Sequence, residues 1–284
     1  MRNYIELTKP SITWLILMST AVGYYFGLHG GEWRWVTLFH ALLGTGLMAS
    51  GTATLNEWYE READAKMKRT MLRPIPSGRV KPQRALIFGI ALSLAGFLDL
   101  AAAVNPLSAM WGLITLATYL FLYTPLKVRT PHATTIGAFP GAMPPLIGYA
   151  AAAGTLGAEA WVLFAILFFW QFPHFLSIAW MYREDYSRAG IVMLPVVEPD
   201  GKATARQIVV CAVLLIPASL APAYLDMSGK VYFFGAAALG LVFLYAGLRV
   251  AFERTRIRAR QVLLASVIYL PLLYGLMLLD RSRL

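Results

Sequence analysis

The segment 56–79, NEWYEREADAKMKRTMLRPIPSGR, follows directly on an apolar helix and carries the charges that most of the chain avoids. Asn56, Glu60 and Asp64 are spaced by four. A helix continued through them turns each side chain by only about 40° per step and lines all three along one face over roughly 12 Å. Lys66, Lys68, Arg69, Arg73 and Arg79 follow at once. An amide carbonyl and two carboxylates make a row of hard oxygens suited to Mg2+, which binds through few protein carboxylates and shares its other positions with water and phosphate oxygens. Arginines beside such a row offer planar forks matched to phosphate. The plain alternative is a solvated helix cap held by pairs such as Glu62–Lys66, and the spacing together with the arginines weighs against it.

The composition of the whole chain is that of a membrane protein: 58% hydrophobic, 14% charged, mean hydropathy +0.59. Soluble domains carry far more charge. Apolar runs of bilayer length predict an all-α integral membrane protein with nine transmembrane helices, near 12–28, 36–56, 85–104, 107–124, 134–153, 160–181, 206–225, 231–251 and 261–279. The fifth run is rich in Gly and Pro; Pro140, Pro144 and Pro145 predict a kinked helix there. Asn105-Pro106 divides the third run from the fourth. With no low-complexity tail and no separate soluble stretch, residues 1–284 read as one transmembrane domain.

The basic residues predict orientation. With a cytoplasmic N-terminus, all of the 25 Lys and Arg fall on the cytoplasmic side except Arg34, Lys230, Arg281 and Arg283. Nine spans with the N-terminus inside and the C-terminus outside satisfy the positive-inside rule. The net charge of +10 is therefore mostly a topology signal, and its dispersal among loops argues against nucleic acid as a partner. Arg249 and the basic run 254–260 read as membrane anchors, and Arg79 as either an anchor or an anion ligand. No Arg- and Ser-rich presequence precedes the first run, which points to a bacterial plasma (inner) membrane. Cys211, the single cysteine, lies inside a predicted span as a small core residue.

A second long loop, MYREDYSRAGIVMLPVVEPDGKATAR, follows the sixth run and is acidic at Glu184 and Asp185. Its parent helix is four spans from that of the first loop, and both loops fall on the predicted cytoplasmic side. Two acidic caps over one cavity would suit the breaking of an allylic carbon–oxygen bond in a prenyl diphosphate. Metal and arginines would neutralise the leaving group, and a dry aromatic cavity would protect the carbocation. Trp58, Tyr59, Tyr119, Tyr123, Phe139, Tyr149, Trp170, Phe172 and Tyr186 are expected near that mouth or in the spans beneath it.

The row Asn56-x-x-x-Glu60-x-x-x-Asp64 resembles the first aspartate-rich motif of the UbiA-type intramembrane prenyltransferases. Further segments resemble the haem-prenylating branch of that superfamily, the protohaem IX farnesyltransferases: LTKPSIT at 7–13, YTPLKVRT at 123–130, GAFPGAMPPLIGY at 137–149, WQFPHF at 170–175, EDYSRAGIVMLPVV at 184–197 and, most specific, M-x-R-T-x-x-R-P-x-x-S-G at 67–78. The resemblance implies nine helices around a central cavity open to the cytoplasmic side. It also implies transfer of the farnesyl group of farnesyl diphosphate to a vinyl group of haem B with addition of water, giving haem O. Carried over by position, Asn56, Glu60, Asp64 and Asp185 would be the catalytic, Mg2+-binding set, Arg69, Arg73, Lys66 and Lys68 would bind diphosphate, and His174 would contact haem. A haem A synthase or a terminal-oxidase assembly factor is the implied partner. Two features depart from the superfamily pattern. Glu60 stands where Asp is usual, and Tyr182 and Tyr186 stand at the spacing of a D-x-x-x-D second motif. A UbiA-type enzyme acting on an aromatic quinone precursor is the near alternative, and a haem-binding or transport membrane protein the remote one.

Overall fold

Seven helices are long and apolar enough to cross a bilayer among residues 1–281, which the computed structural model describes. In chain order the helices are α1 (Arg2–Leu7), α2 (Pro10–Gly27), α3 (Trp35–Asp64), α4 (Pro82–Asp99), α5 (Pro106–Ala117), α6 (Ala133–Ala142), α7 (Pro144–Ala153), α8 (Ala158–Met181), α9 (Arg183–Arg188), α10 (Leu194–Val197), α11 (Lys202–Tyr224), α12 (Lys230–Phe252) and α13 (Arg256–Leu279). Wider π turns extend α4 over Leu100–Val104 and α5 over Thr118–Tyr123, with a last turn at Thr124–Leu126. No strand occurs among the described residues, only an isolated bridge between Ser228 and Arg281. The protein is thus an all-helical, multi-pass membrane protein.

The seven match the second, third, fourth and sixth to ninth expected spans. The first expected span is the 18-residue α2, where Ser19, Thr20, Tyr24 and Tyr25 dilute the apolar character. The fifth is two ten-residue helices, α6 and α7, broken where Pro144 follows Met143. Proline supplies no N–H and clashes with the preceding turn, so one straight span cannot form there. At the boundary between the third and fourth expected spans Asn105 turns extended and caps α5, its Oδ1 accepting from Ser108 N at 2.9 Å.

Small residues set how closely the helices approach. A side chain at Gly23 of α2 would meet the Pro145 carbonyl carbon of α7 at 2.8 Å, and one at Gly148 would meet the Thr20 carbonyl carbon at 2.8 Å. The main core, built around Trp170, Tyr232, Tyr269, Phe243 and the leucines of α8, lies among α8, α11, α12 and α13.

The charges sort to the two ends. Arg34, Lys230 and Arg281 stand at one: Arg34 donates to Ala152 O, and the Arg281 guanidinium lies 4.4 Å from the Tyr25 ring centre. Arg283 lies outside the described residues. The other end carries residues 56–79 and the loop after α8. Asp99 pairs with His40 Nδ1 at 2.8 Å, away from that loop end.

Candidate active site at the loop end

With 30 residues α3 is about 45 Å long, more than the roughly 30 Å of bilayer hydrocarbon, so its last turns emerge from the apolar layer and can carry charge. On these turns Asn56, Glu57 and Asp64 are buried, Asp64 completely. Three cations reach the carboxylates and amide at this end of α3 from other segments. Lys9, held in a left-handed turn before Pro10, donates to Asn56 Oδ1 at 3.4 Å and lies 3.7 Å from Glu57 Oε1. Arg73 donates through Nη1 to Asp64 Oδ2 at 2.7 Å, and its Nε is 3.7 Å from Glu57 Oε1. Lys127, just beyond α5, donates to Glu60 Oε1 at 2.7 Å and sits 4.4 Å from the Tyr123 ring centre. Asn56 Nδ2 completes the set by donating to Thr124 Oγ1 at 3.3 Å.

This arrangement shifts the cations in opposite senses. Burial pushes the Lys9 ammonium down to about 8, with Arg73 adding repulsion and the Glu57 carboxylate opposing it. Burial also works against the Lys127 charge, but Glu60 overrides it and holds that lysine well above its ordinary value. Arg73 is likewise secured against burial by Asp64 and Glu57.

Two oxygens of the network, Glu57 Oε2 and Asp64 Oδ1, are buried without a hydrogen-bond partner. An unpartnered buried carboxylate oxygen is costly and marks a place for a ligand. Among the described residues no three His, Cys, Asp or Glu side chains converge as a closed metal cage, because Glu60, Asp64 and Asp185 are each drawn to a cation. The donor set still fits Mg2+, which needs only one or two protein carboxylates when waters and phosphate complete its octahedron.

The loop after α8 brings Asp185 to the same end. It is largely buried, is paired with Arg188, and accepts from Arg69 N at 3.4 Å. The structure therefore joins Asn56, Glu60, Asp64 and Arg73 in one network and places Asp185 beside the loop that carries Arg73. Lys66 and Lys68 lie exposed on that loop. Arg69 rests on Tyr182 and Tyr186. Arg79 fastens the loop to α1 through Glu6 at 2.8 Å, a tether rather than an anion ligand. His174 is not part of the network: it stacks on Trp170 at 4.9 Å, and its Nδ1 shares a hydrogen bond of 2.8 Å with Ser266 Oγ of α13. Tyr149 lies in one of the spans beneath the mouth and bonds His29 at 2.8 Å and Glu159 at 2.9 Å, toward the end of α7 away from Pro144.

Sequence reasoning missed Lys9, Glu57 and Lys127. Glu57 was detectable, since it is seven residues before Asp64 and seven residues bring a helix back to within about 20°. Lys9 and Lys127 sit in the segments LTKPSIT and YTPLKVRT, where a lysine next to a span reads first as a topology anchor.

The chain resembles known proteins over its full length. Residues 16–272 match the model of the UbiA prenyltransferase family. A protoheme IX farnesyltransferase of Solibacter usitatus is 66% identical over 290 residues, covering 99% of this chain and 99% of the relative. Among solved structures, a digeranylgeranylglyceryl phosphate synthase superposes with a TM-score of 0.81 at 18% identity, over 100% of this chain and 99% of the other. A UbiA homologue of Archaeoglobus fulgidus bound to DMAPP and Mg2+ gives 0.64 at 17% identity, over 97% and 99%. At these identities the two structures speak for the fold.

Proposed function

Because the chain belongs to the UbiA prenyltransferase family, we propose that it transfers the farnesyl group of farnesyl diphosphate to a vinyl group of protohaem IX. The allylic carbon–oxygen bond breaks with its electron pair leaving on diphosphate, and the farnesyl carbon bonds to the vinyl group. Water adds its hydroxyl to the other vinyl carbon and releases a proton, giving haem O. The observation that carries the donor half is the facing of Glu57, Glu60 and Asp64 by Lys9, Arg73 and Lys127 at the end of α3. The acceptor follows from the full-length likeness to a protoheme IX farnesyltransferase.

In this reading Arg73, Lys127 and Lys9 hold the diphosphate oxygens, and the exposed Lys66 and Lys68 draw the anion in. Asn56, Glu60, Asp64 and Asp185 would hold Mg2+, with Glu57 Oε2 and Asp64 Oδ1 as open acceptors. Bound there, Mg2+ supplies Lewis-acid charge to the leaving group. The π turn of α5 presents Tyr119 and Tyr123, packed edge to face at 5.0 Å, beside Lys127, where ring faces would shield a carbocation. The stacked Trp170–His174 pair is the candidate surface for the porphyrin. Residues 1–284 act as one catalytic unit in a bacterial inner membrane, with the N-terminus and the site cytoplasmic. Haem O would pass to a haem A synthase or a terminal-oxidase assembly factor.

Purified protein given protohaem IX, farnesyl diphosphate and Mg2+ should yield haem whose mass has risen by farnesyl plus hydroxyl. Prenylation of an aromatic quinone precursor with haem untouched would overturn the acceptor.

The state of Lys9 predicts the alkaline limb. kcat/KM for farnesyl diphosphate should hold up to about pH 8 and fall above it as Lys9 loses its proton. Lys9→Arg should remove that fall. Stability should move the other way. The unfolded chain keeps the Lys9 proton up to about 10.5, so between about 8 and 10.5 rising pH relieves the cost of burying this charge. A pH–rate profile paired with a pH–melting series separates the two effects.

A further inference from the structure

Arg69 does not stand free toward the carboxylates. Its guanidinium lies 4.9 Å from the Tyr182 ring centre and 5.5 Å from that of Tyr186, and it donates to the Tyr186 hydroxyl at 3.0 Å. The backbone N–H of the same residue donates to Asp185 Oδ2 at 3.4 Å. One residue of the first loop thus touches three of the five residues 182–186. The two rings share a face because one helical turn separates them, with Tyr186 N donating to Tyr182 O at 3.1 Å. Arg256, at the start of α13, also lies over Tyr182, 5.9 Å from the ring centre.

The consequences reach the network within a few residues. Thr70, next to Arg69, donates to Asp64 O at 3.0 Å, and Arg73 binds the Asp64 carboxylate at 2.7 Å. On the other side of Arg69, Met67 is buried with Ala179, Ile191 and Met193, against which Tyr186 packs. The seam between the loops is therefore apolar at Met67 and closed at its rim by Arg69. Aromatic rings can hold a guanidinium without bringing a formal negative charge. Carboxylates at positions 182 and 186 would hold it too, but would compete with Asp185 for any cation. Each cation–π contact is weak where solvent reaches it, so such a closure is reversible, as a loop over a diphosphate site must be.

We propose that Tyr182 and Tyr186 form a cation–π clasp for Arg69 that docks the two loops on each other and sets Asp185 beside the Asp64 network. They are positioning residues, and Arg69 in the resting enzyme belongs to the clasp. The kinetic part of this inference rests on the proposed farnesyl transfer; the structural part does not.

Spin labels on Leu72→Cys and Glu184→Cys, both exposed positions, in a Cys211→Ala background report the distance between the loops without any substrate. The parent and Tyr182→Phe/Tyr186→Phe should give the same narrow distribution. Tyr182→Leu/Tyr186→Leu and Arg69→Gln should give a broader and longer one. With substrate, the Leu pair should lose about tenfold in kcat/KM for farnesyl diphosphate, chiefly through KM, and the Phe pair should stay within about threefold of the parent. An unchanged loop distance in the Leu pair and in Arg69→Gln would overturn the clasp, as would equal kinetic losses for the Phe and Leu pairs. Should the Leu pair fail to fold, Arg69→Gln on its exposed side chain still decides the distance. Absence of haem farnesylation in the parent would strike the proposed function and leave the distance result standing.

Discussion

Asp64→Asn is expected to lower turnover by at least about a hundredfold to a thousandfold, the range found when one electrostatic contact to a developing charge is removed. Asp64 is fully buried, one carboxylate oxygen holds Arg73 at 2.7 Å, and the other has no partner. Asparagine keeps the shape but loses the charge, and turns an NH2 group toward either Arg73 or the open acceptor position. Arg73 then keeps only Glu57, at 3.7 Å. Diphosphate would lose both its oriented guanidinium and the anionic oxygen that balances a divalent cation. Glu62, two residues earlier on the same helix, is exposed and pairs with Arg61 at 3.2 Å. Glu62→Gln should stay within about twofold of the parent, as surface substitutions do. The comparison is made by quantifying the haem product by mass spectrometry and checking that both variants purify with the parent's melting behaviour. Equal rates for Asp64→Asn and the parent would remove Asp64 from the site.

How much of this was legible in the sequence depends on the range of the interaction. Periodicity and run length are local, so the seven long spans, a proline-bent fifth run and the boundary at Asn105-Pro106 could be read directly, while the full break at Met143–Pro144 and the Asn105 cap appear in the structure. The four-residue spacing put Asn56, Glu60 and Asp64 on one face of α3, which runs unbroken through them. The same template hid Glu57, because a strict step of four skips the i+3 and i+7 neighbours that share that side. Lys9 and Lys127 come from elements 47 and 67 residues away from their partners, and no local pattern states that they converge. Arg69 shows the opposite limit. Its place beside Arg73 suggested a shared anion role, whereas the partner that holds it at rest, the Tyr182–Tyr186 pair, lies more than a hundred residues on. A histidine inside a span asks for a partner; Ser266 of α13 engages His174 Nδ1, and the ring stacked on Trp170 stays the proposed surface for the porphyrin.

The Glu60–Lys127 pair should separate what holds the site together from what works on the substrate. Both side chains are largely buried, and the longer glutamate reaches Lys127 at 2.7 Å. Lys127→Met leaves Glu60 as an unpaired buried anion, which should cost about 3–5 kcal/mol and appear as a marked drop in the melting temperature in detergent. Glu60→Gln/Lys127→Met removes both charges together, and near-isosteric neutral replacement of a buried pair is close to neutral for stability. Its melting temperature should therefore return most of the way to the parent's. Turnover should not return, because the diphosphate still lacks the ammonium that stands beside Tyr123. Recovery of both stability and turnover in the double variant would reduce Lys127 to a counter-ion for Glu60. A Lys127→Met protein as stable as the parent would mean that the pair does not form in the membrane. If stability returns while activity stays lost, the cation's role is the diphosphate, and the lysine after α5 is fixed as part of the active site.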